Sequence, residues 1–121
     1  MTEERLSLGR QGEDTAARYL QSRGMKILER NLRTPVGEID LVVRDRAVLA
    51  FVEVKTRRGI GFGSPAEAVG PRKQRQIIRT AKWYLNDSPH VKLQPRFDVI
   101  AITVLGDDVQ IEHIPGAFEL P

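Results

Sequence analysis

A chain of 121 residues with 40% hydrophobic and 29% charged side chains has the make-up of one ordinary folded domain, with room for a sheet and a few helices. It has no cysteine and only two histidines, which excludes a disulfide scaffold, a thiolate nucleophile and a Cys- or multi-His-ligated transition-metal centre; any metal would be a hard cation held by carboxylates. The formal charge of +3 is a modest basic excess that suits an acidic partner without requiring one.

Residues 6–23 predict a helix, with Leu6, Ala16, Ala17 and Leu20 near one face and Gly24 as a stop. Gly9 and Gly12 thin this helix and would let it approach a sheet closely. Strand character over residues 25–33 gives way to turn chemistry at Thr34-Pro35-Val36-Gly37. Residues 38–45 alternate, with Ile39, Leu41 and Val43 on one face and Glu38, Asp40 and Val42 on the other. A tight turn at Asp45-Arg46 leads to an apolar strand over 47–56 that ends in a charged tip, completing a three-stranded meander.

A loop with Gly59, Gly61 and Gly63 follows. Ser64-Pro65-Ala66-Glu67 reads as a capping box that opens a short helical turn ending at Gly70. Pro71 begins a longer helix to about residue 85, with Ile77, Ile78, Ala81 and Leu85 inward, and Trp83 and Tyr84 read as core residues closing it. Residues 97–105 and 109–114 form the last strands around a Gly106-Asp107-Asp108 turn. The order is αβββαββ, an α/β domain with a central mixed sheet flanked by helices over residues 1–121. The tail 114–121 is apolar enough to pack on its own domain or on a neighbour. No signal-peptide pattern opens the chain and no apolar run approaches a membrane span, so the expected location is the cytoplasm.

The chemistry lies in charges placed where apolar residues belong. Period two puts Leu49, Phe51, Glu53 and Lys55 on one strand face. If Arg44 lies opposite Ala47, Asp40 falls opposite Phe51 and diagonal to Glu53, so both carboxylates project to one side. Glu13 shares the apolar stripe of the first helix, where a lone carboxylate needs a cation or several donors. Asp40 and Glu53, with Glu13 beside them, suit Mg²⁺ or Mn²⁺, and Lys55 could orient or help deprotonate a water: equipment for hydrolysing a phosphodiester. The competing readings are a solvated hairpin face with an ordinary Glu53–Lys55 ion pair and a first helix rotated so that Glu13 meets solvent.

Asp40 followed by Glu53-Val54-Lys55 resembles the acid…(D/E)-x-K core of the PD-(D/E)xK restriction-endonuclease-like superfamily. Glu13 is similar to the extra helical acid of its Holliday-junction-resolvase-like branch. Together with Gly12-Glu13-Asp14, Gly37-Glu38-Ile39-Asp40-Leu41, Phe51-Val52-Glu53-Val54-Lys55-Thr56-Arg57, Phe62-Gly63-Ser64-Pro65 and Arg96-Phe97-Asp98-Val99-Ile100, the chain resembles the bacterial YraN-like family over nearly its whole length. Ile39 stands where the superfamily name has proline. The resemblance implies a restriction-endonuclease-like fold and metal-dependent cleavage of DNA, branched or structured DNA included. Asp40, Glu53 and Lys55 would then be catalytic, and Glu13, Asp40 and Glu53 would be ligands of Mg²⁺ or Mn²⁺. Related nucleases place a polar residue of the second helix near the metal. Gln74 could fill that role or be a core amide satisfied by backbone. Glu38 fits a supporting role beside Asp40, and Asp98 the role of a structural partner of an arginine; His90 and His113 carry no assignment.

Between residues 54 and 82 the cations Lys55, Arg57, Arg58, Arg72, Lys73, Arg75, Arg79 and Lys82 face Glu67 as the lone acid. Such a run is often just a solvated face. Next to a metal-type site, Arg57, Arg58, Arg72, Lys73, Arg75 and Arg79 are expected to track nucleic-acid phosphates, with DNA as the partner and no membrane. Two alternatives remain: a nucleic-acid-binding module with the fold but no cleavage, and an interaction protein whose acids are surface pairs. One site per chain means that cutting both strands symmetrically takes a homodimer.

Overall fold

Residues 48–52 are apolar on both sides of their strand, so they need cover on both faces of a sheet. The computed structural model describes residues 3–59, 69–86, 88–90 and 92–119, with side chains from residue 8 onward. Its elements are α1 (Glu3–Ser22), β1 (Lys26–Thr34), β2 (Gly37–Asp45), β3 (Val48–Arg58), α2 (Pro71–Asn86), β4 (Gln94–Leu105) and β5 (Asp108–Phe118). The five strands lie in the order β1-β2-β3-β4-β5. All neighbouring pairs are antiparallel except β3 and β4, which are parallel and are joined through α2.

The two helices cover opposite faces. Ala16, Ala17 and Leu20 of α1 pack on Leu41, Val43, Ala50, Val52, Ile100 and Ile102. Ile77, Ile78 and Ala81 of α2 pack on Ile39, Val42, Leu49, Phe51, Phe97 and Val99. Each fully buried Leu, Ile or Phe stabilises this arrangement by about 1.5–3 kcal/mol. Gly12 sets the approach of α1: a Cβ there would meet Thr56 Oγ1 of β3 at 1.8 Å. Gly9, expected to serve the same purpose, has nothing within 4 Å and does not thin the contact.

Several boundaries differ from the sequence reading, each for a local reason. The hairpin turn is Arg46-Ala47 rather than Asp45-Arg46, because Asp45 stays extended opposite Val48 and Arg46 takes the left-handed conformation (φ 58°). Arg44 therefore pairs with Leu49, two residues beyond the expected register, and Asp40 runs in line with Glu53 rather than Phe51. A two-residue slip preserves the strand face, so the acids still meet. Ile39 does not share a face with Leu41 and Val43. It joins Val42 on the α2 side, so alternation breaks at Asp40, just where the β2–β3 ladder ends at Leu41↔Val52.

β5 is longer than expected and absorbs residues 114–118. Phe118 stacks on Phe97 at 5.1 Å, so this part of the apolar tail packs on its own domain. Trp83, expected in the core, is 50% exposed, whereas Tyr84 turns inward against Phe51. The capping box at Ser64 and the short helix after it, with Gly61 and Gly63, lie outside the described residues. Among the described residues no helix is long and apolar enough to cross a membrane.

Candidate active-site cleft

β2 and β3 part company after Leu41↔Val52, and the gap is where the acids gather. Val54 N–H lies beyond the last paired residues, and a buried amide needs a partner. Asp40 supplies it: its Oδ2 accepts from Val54 N at 2.8 Å. A side chain thus replaces a ladder bond, holds the strands apart and fixes Asp40 at the mouth. Glu13 reaches the gap from α1 and lines it beside Asp40, close enough for each carboxyl to act on the titration of the other. Glu53, with 6% exposure, continues the Leu49–Phe51 face toward α2, where Lys73 Nζ lies 3.9 Å from its Oε1.

These groups line one cleft of about 660 Å³, together with Arg10, Asn31, Arg33, Lys55 and Thr56. Glu13, Asp40, Glu53 and Lys55, the four residues singled out by the sequence, are therefore brought together. Among the described residues, however, no three carboxylates, imidazoles or thiols are already gathered tightly enough to hold an ion. Glu13 stands beside Asp40 in the cleft, while Glu53 leans on Lys73.

The electrostatics are those of acids short of positive charge. Burial, followed by the Asp40 charge, pushes Glu53 up to about 7 against the pull of Lys73 and Lys55. Burial raises Asp40 too, and the Val54 N–H, Lys73 and Lys55 offset only part of it. Glu13 is raised first by burial and then by Asp40. Lys73, expected among the phosphate-tracking residues, is thus also a charge acting on two of the acids.

Asn31 is a residue that the sequence reading missed. It sits within β1 with φ 51°, a conformation that asparagine tolerates better than most residues. Oriented to satisfy its surroundings, its amide donates to both Glu13 oxygens, at 2.7 and 3.2 Å. Alternation alone would have pointed it along an ordinary edge strand, and no motif marked it. Arg10 and Arg33 were likewise passed over, because they sit outside the basic run between residues 54 and 82.

The remaining candidates lie elsewhere. Glu38 is exposed and 3.6 Å from Arg33. Gln74 donates to Val69 O at 2.8 Å, the backbone-satisfied alternative, and does not line the cleft. Arg58 is exposed and Arg57 half-buried at the end of β3, while Arg72, Arg75 and Arg79 project from α2. Asp98 is the structural partner expected: Arg96 donates to both its oxygens at 2.8 and 2.9 Å, and Gly116 N donates at 3.1 Å. His113 Nε2, unassigned from sequence, lies 2.9 Å from the same carboxylate.

The pattern of the uncharacterised protein family UPF0102 matches residues 12–102. A UPF0102 protein of Syntrophotalea carbinolica is 62% identical over 120 residues, covering 99% of this chain and 98% of that relative. One from Rhodococcus jostii is 53% identical over 114 residues, covering 93% and 97%. One from Geobacter sulfurreducens is 52% identical over 114 residues, covering 93% and 89%. The matched segment contains Glu13, Asp40, Glu53 and Lys55, and the relatives are similar along nearly their whole length: the chain belongs to the UPF0102 family, the YraN-like proteins.

Proposed function

We propose that this protein is a metal-dependent nuclease that hydrolyses phosphodiester bonds of DNA. The observation that carries the reading is the cleft itself, in which Glu13, Asp40 and Glu53 stand beside Lys55 with Arg10 and Arg33 on the rim. The donor set fits a hard divalent cation: it is all oxygen, and burial has left each carboxyl short of compensating charge. Asp40 and Glu53 would hold Mg²⁺ or Mn²⁺, with Glu13 completing the set after small side-chain rotations. Bound there, the cation would supply Lewis-acid stabilisation for the charge that builds on the scissile phosphate. Arg10 and Arg33 hold the phosphates on either side by charge. Lys55 donates a hydrogen bond to a non-bridging oxygen; water attacks phosphorus and gives up a proton to solvent, the opposite P–O bond breaks, and the leaving oxygen takes up a proton from solvent. Val54 N–H keeps Asp40 from swinging away between turnovers.

The test incubates the purified protein with plasmid, single-stranded and four-way-junction DNA in Mg²⁺ or Mn²⁺, beside Glu53→Ala and Lys55→Ala proteins. Metal-dependent cutting that disappears in both variants is the expected result. Cutting that survives in them, or no cutting of any substrate, overturns the reading.

A second reading, nucleic-acid binding without cleavage, is favoured by one observation: Glu53 leans on Lys73 and no three donors are gathered among the described residues. Salt-dependent binding to DNA with no cleavage in any metal would select it.

A further inference from the structure

α2 carries Arg72, Lys73, Arg75, Arg79 and Lys82 and no acidic residue. Its inner face is accounted for by Ile77, Ile78, Thr80 and Ala81, which are buried. Arg72, Arg75, Arg79, Lys82 and Trp83 are all exposed, and steps of three and four residues place them in one stripe along the outside of the helix. At 1.5 Å per residue the stripe from Arg72 to Trp83 is roughly 16 Å long.

Trp83 is the anomaly in this stripe. Phe51, Tyr84, Phe97 and Phe118 pack ring on ring in the core, at centroid distances of 6.1, 5.7 and 5.1 Å along the chain of contacts. The largest aromatic side chain is instead 50% exposed, one helical turn from Arg79. A groove of about 660 Å³ lined by Val36, Arg72, Lys73, Gln76 and Arg79 runs beside the first turns of α2. Lys73 belongs both to this groove and, at 3.9 Å from Glu53, to the edge of the cleft. The cationic stripe is therefore continuous with the acids.

A polyanion fits a helix face with four cations and no acid. An exposed indole adds a condition: bases inside a duplex present edges, whereas only an unpaired base offers a face for stacking. We propose that the outer face of α2 is a track for single-stranded DNA. Arg72, Arg75, Arg79 and Lys82 contact the phosphates, an unpaired base stacks on Trp83, and the strand passes Lys73 into the cleft. The track names the substrate class of the nuclease reading and in that respect rests on it.

Trp83 is the single tryptophan of the chain, so its fluorescence reports on this face alone. The full chain is titrated in EDTA, where no cutting occurs, with a twenty-nucleotide oligothymidylate and with relaxed, covalently closed duplex circles. Quenching by the oligonucleotide and not by the circles is expected. By anisotropy of a labelled oligonucleotide, Trp83→Ala should bind roughly ten-fold more weakly, Trp83→Phe should recover most of the loss, and Arg79→Gln should lower the salt slope by about 0.7. Trp83 and Arg79 are exposed, so circular dichroism should show all three variants folded as the parent is.

Unchanged fluorescence, equal binding of the circles, or Trp83→Ala binding like the parent overturns the track. Cutting that is indifferent to Trp83 would sink the track and leave the nuclease standing. Binding at Trp83 without cutting in any metal would do the reverse.

Discussion

Asp98 and Glu53 are both acids closed off from solvent, 1% and 6% exposed, on paired strands and one register position apart. Their carboxyls nevertheless titrate in opposite directions. Burial would raise Asp98, but His113, both arms of Arg96 and the Gly116 N–H outweigh it and hold the group below the usual range. The nearest cation to Glu53 is Lys73 at 3.9 Å, beyond hydrogen-bond distance, and Asp40 and Glu13 repel it, so it rises to about 7. Folding has thus satisfied one buried acid completely and left the other in deficit. Such a deficit in a cleft marks a candidate functional site, and the proposed reading fills it with a cation.

Breaking the satisfied side should have the largest effect. Asp98→Ala leaves Arg96 and His113 without their shared anion, and urea unfolding at neutral pH should show a loss of about 3–5 kcal/mol. If the loss is under 1 kcal/mol, Asp98 is not the keystone its contacts suggest. Its lowered pKa gives a stabilisation that is complete above about pH 4, the ordinary value, and is lost as pH falls through the depressed one.

The cleft should respond with the opposite sign. The folded-state pKa of Glu53 lies above its value of 4.5 in the unfolded chain, so ionising it costs stability: nothing below 4.5, progressively more toward 7, and the full amount above. That shift corresponds to about 3 kcal/mol at most. Glu53→Gln should therefore raise stability by up to this amount at pH 8 and leave it unchanged at pH 4, as read from denaturant midpoints at both values. A variant destabilised at pH 8 would show that Lys73 and Lys55 already compensate Glu53.

Supplying the missing charge should relieve the same deficit. Mg²⁺ or Mn²⁺ at a hundred times its dissociation constant should stabilise the protein by about 2.7 kcal/mol, visible as a rise in Tm that Asp40→Asn abolishes. No rise with either ion would leave the acids as a structural feature and favour the second reading. The smallest effect is expected at Asn31. Asn31→Ala should cost about 1 kcal/mol more than Asn31→Gly, because only alanine is strained at φ 51°. Both substitutions remove the amide that holds Glu13, so both should weaken binding of the cation equally.

The candidate site was legible in the sequence to a large degree, because a carboxylate on an apolar stripe or at the tip of a buried strand violates the pattern around it. Glu13 and Glu53 stood out in this way, Asp40 through the register that sets it across from the third strand and Lys55 through sharing the strand face of Glu53, and all four line the cleft. What stayed hidden depends on contacts between elements far apart in the chain. Asn31 looks like any polar residue of an edge strand until α1 brings Glu13 to it. His113 gains its meaning only when β5 sets it beside Asp98. Trp83 and Tyr84 are consecutive aromatics at the end of a helix, and which of them faces the core depends on how α2 lies across the sheet.

The sequence by itself determined the order of elements, a central mixed sheet flanked by helices, the all-oxygen character of any metal site and the identity of the acids. Those follow from periodicity and composition, which act locally. Tertiary structure alone decided that β2 and β3 separate at Leu41↔Val52, that Asp40 spends an oxygen on Val54 N–H, and that Glu53 faces Lys73 instead of a hydrogen-bonding donor. These depend on register and on the approach of two helices from opposite faces. Whether a buried acid ends up compensated, like Asp98, or with its pKa raised, like Glu53, is settled at that level, because the compensating charges come from other strands and helices.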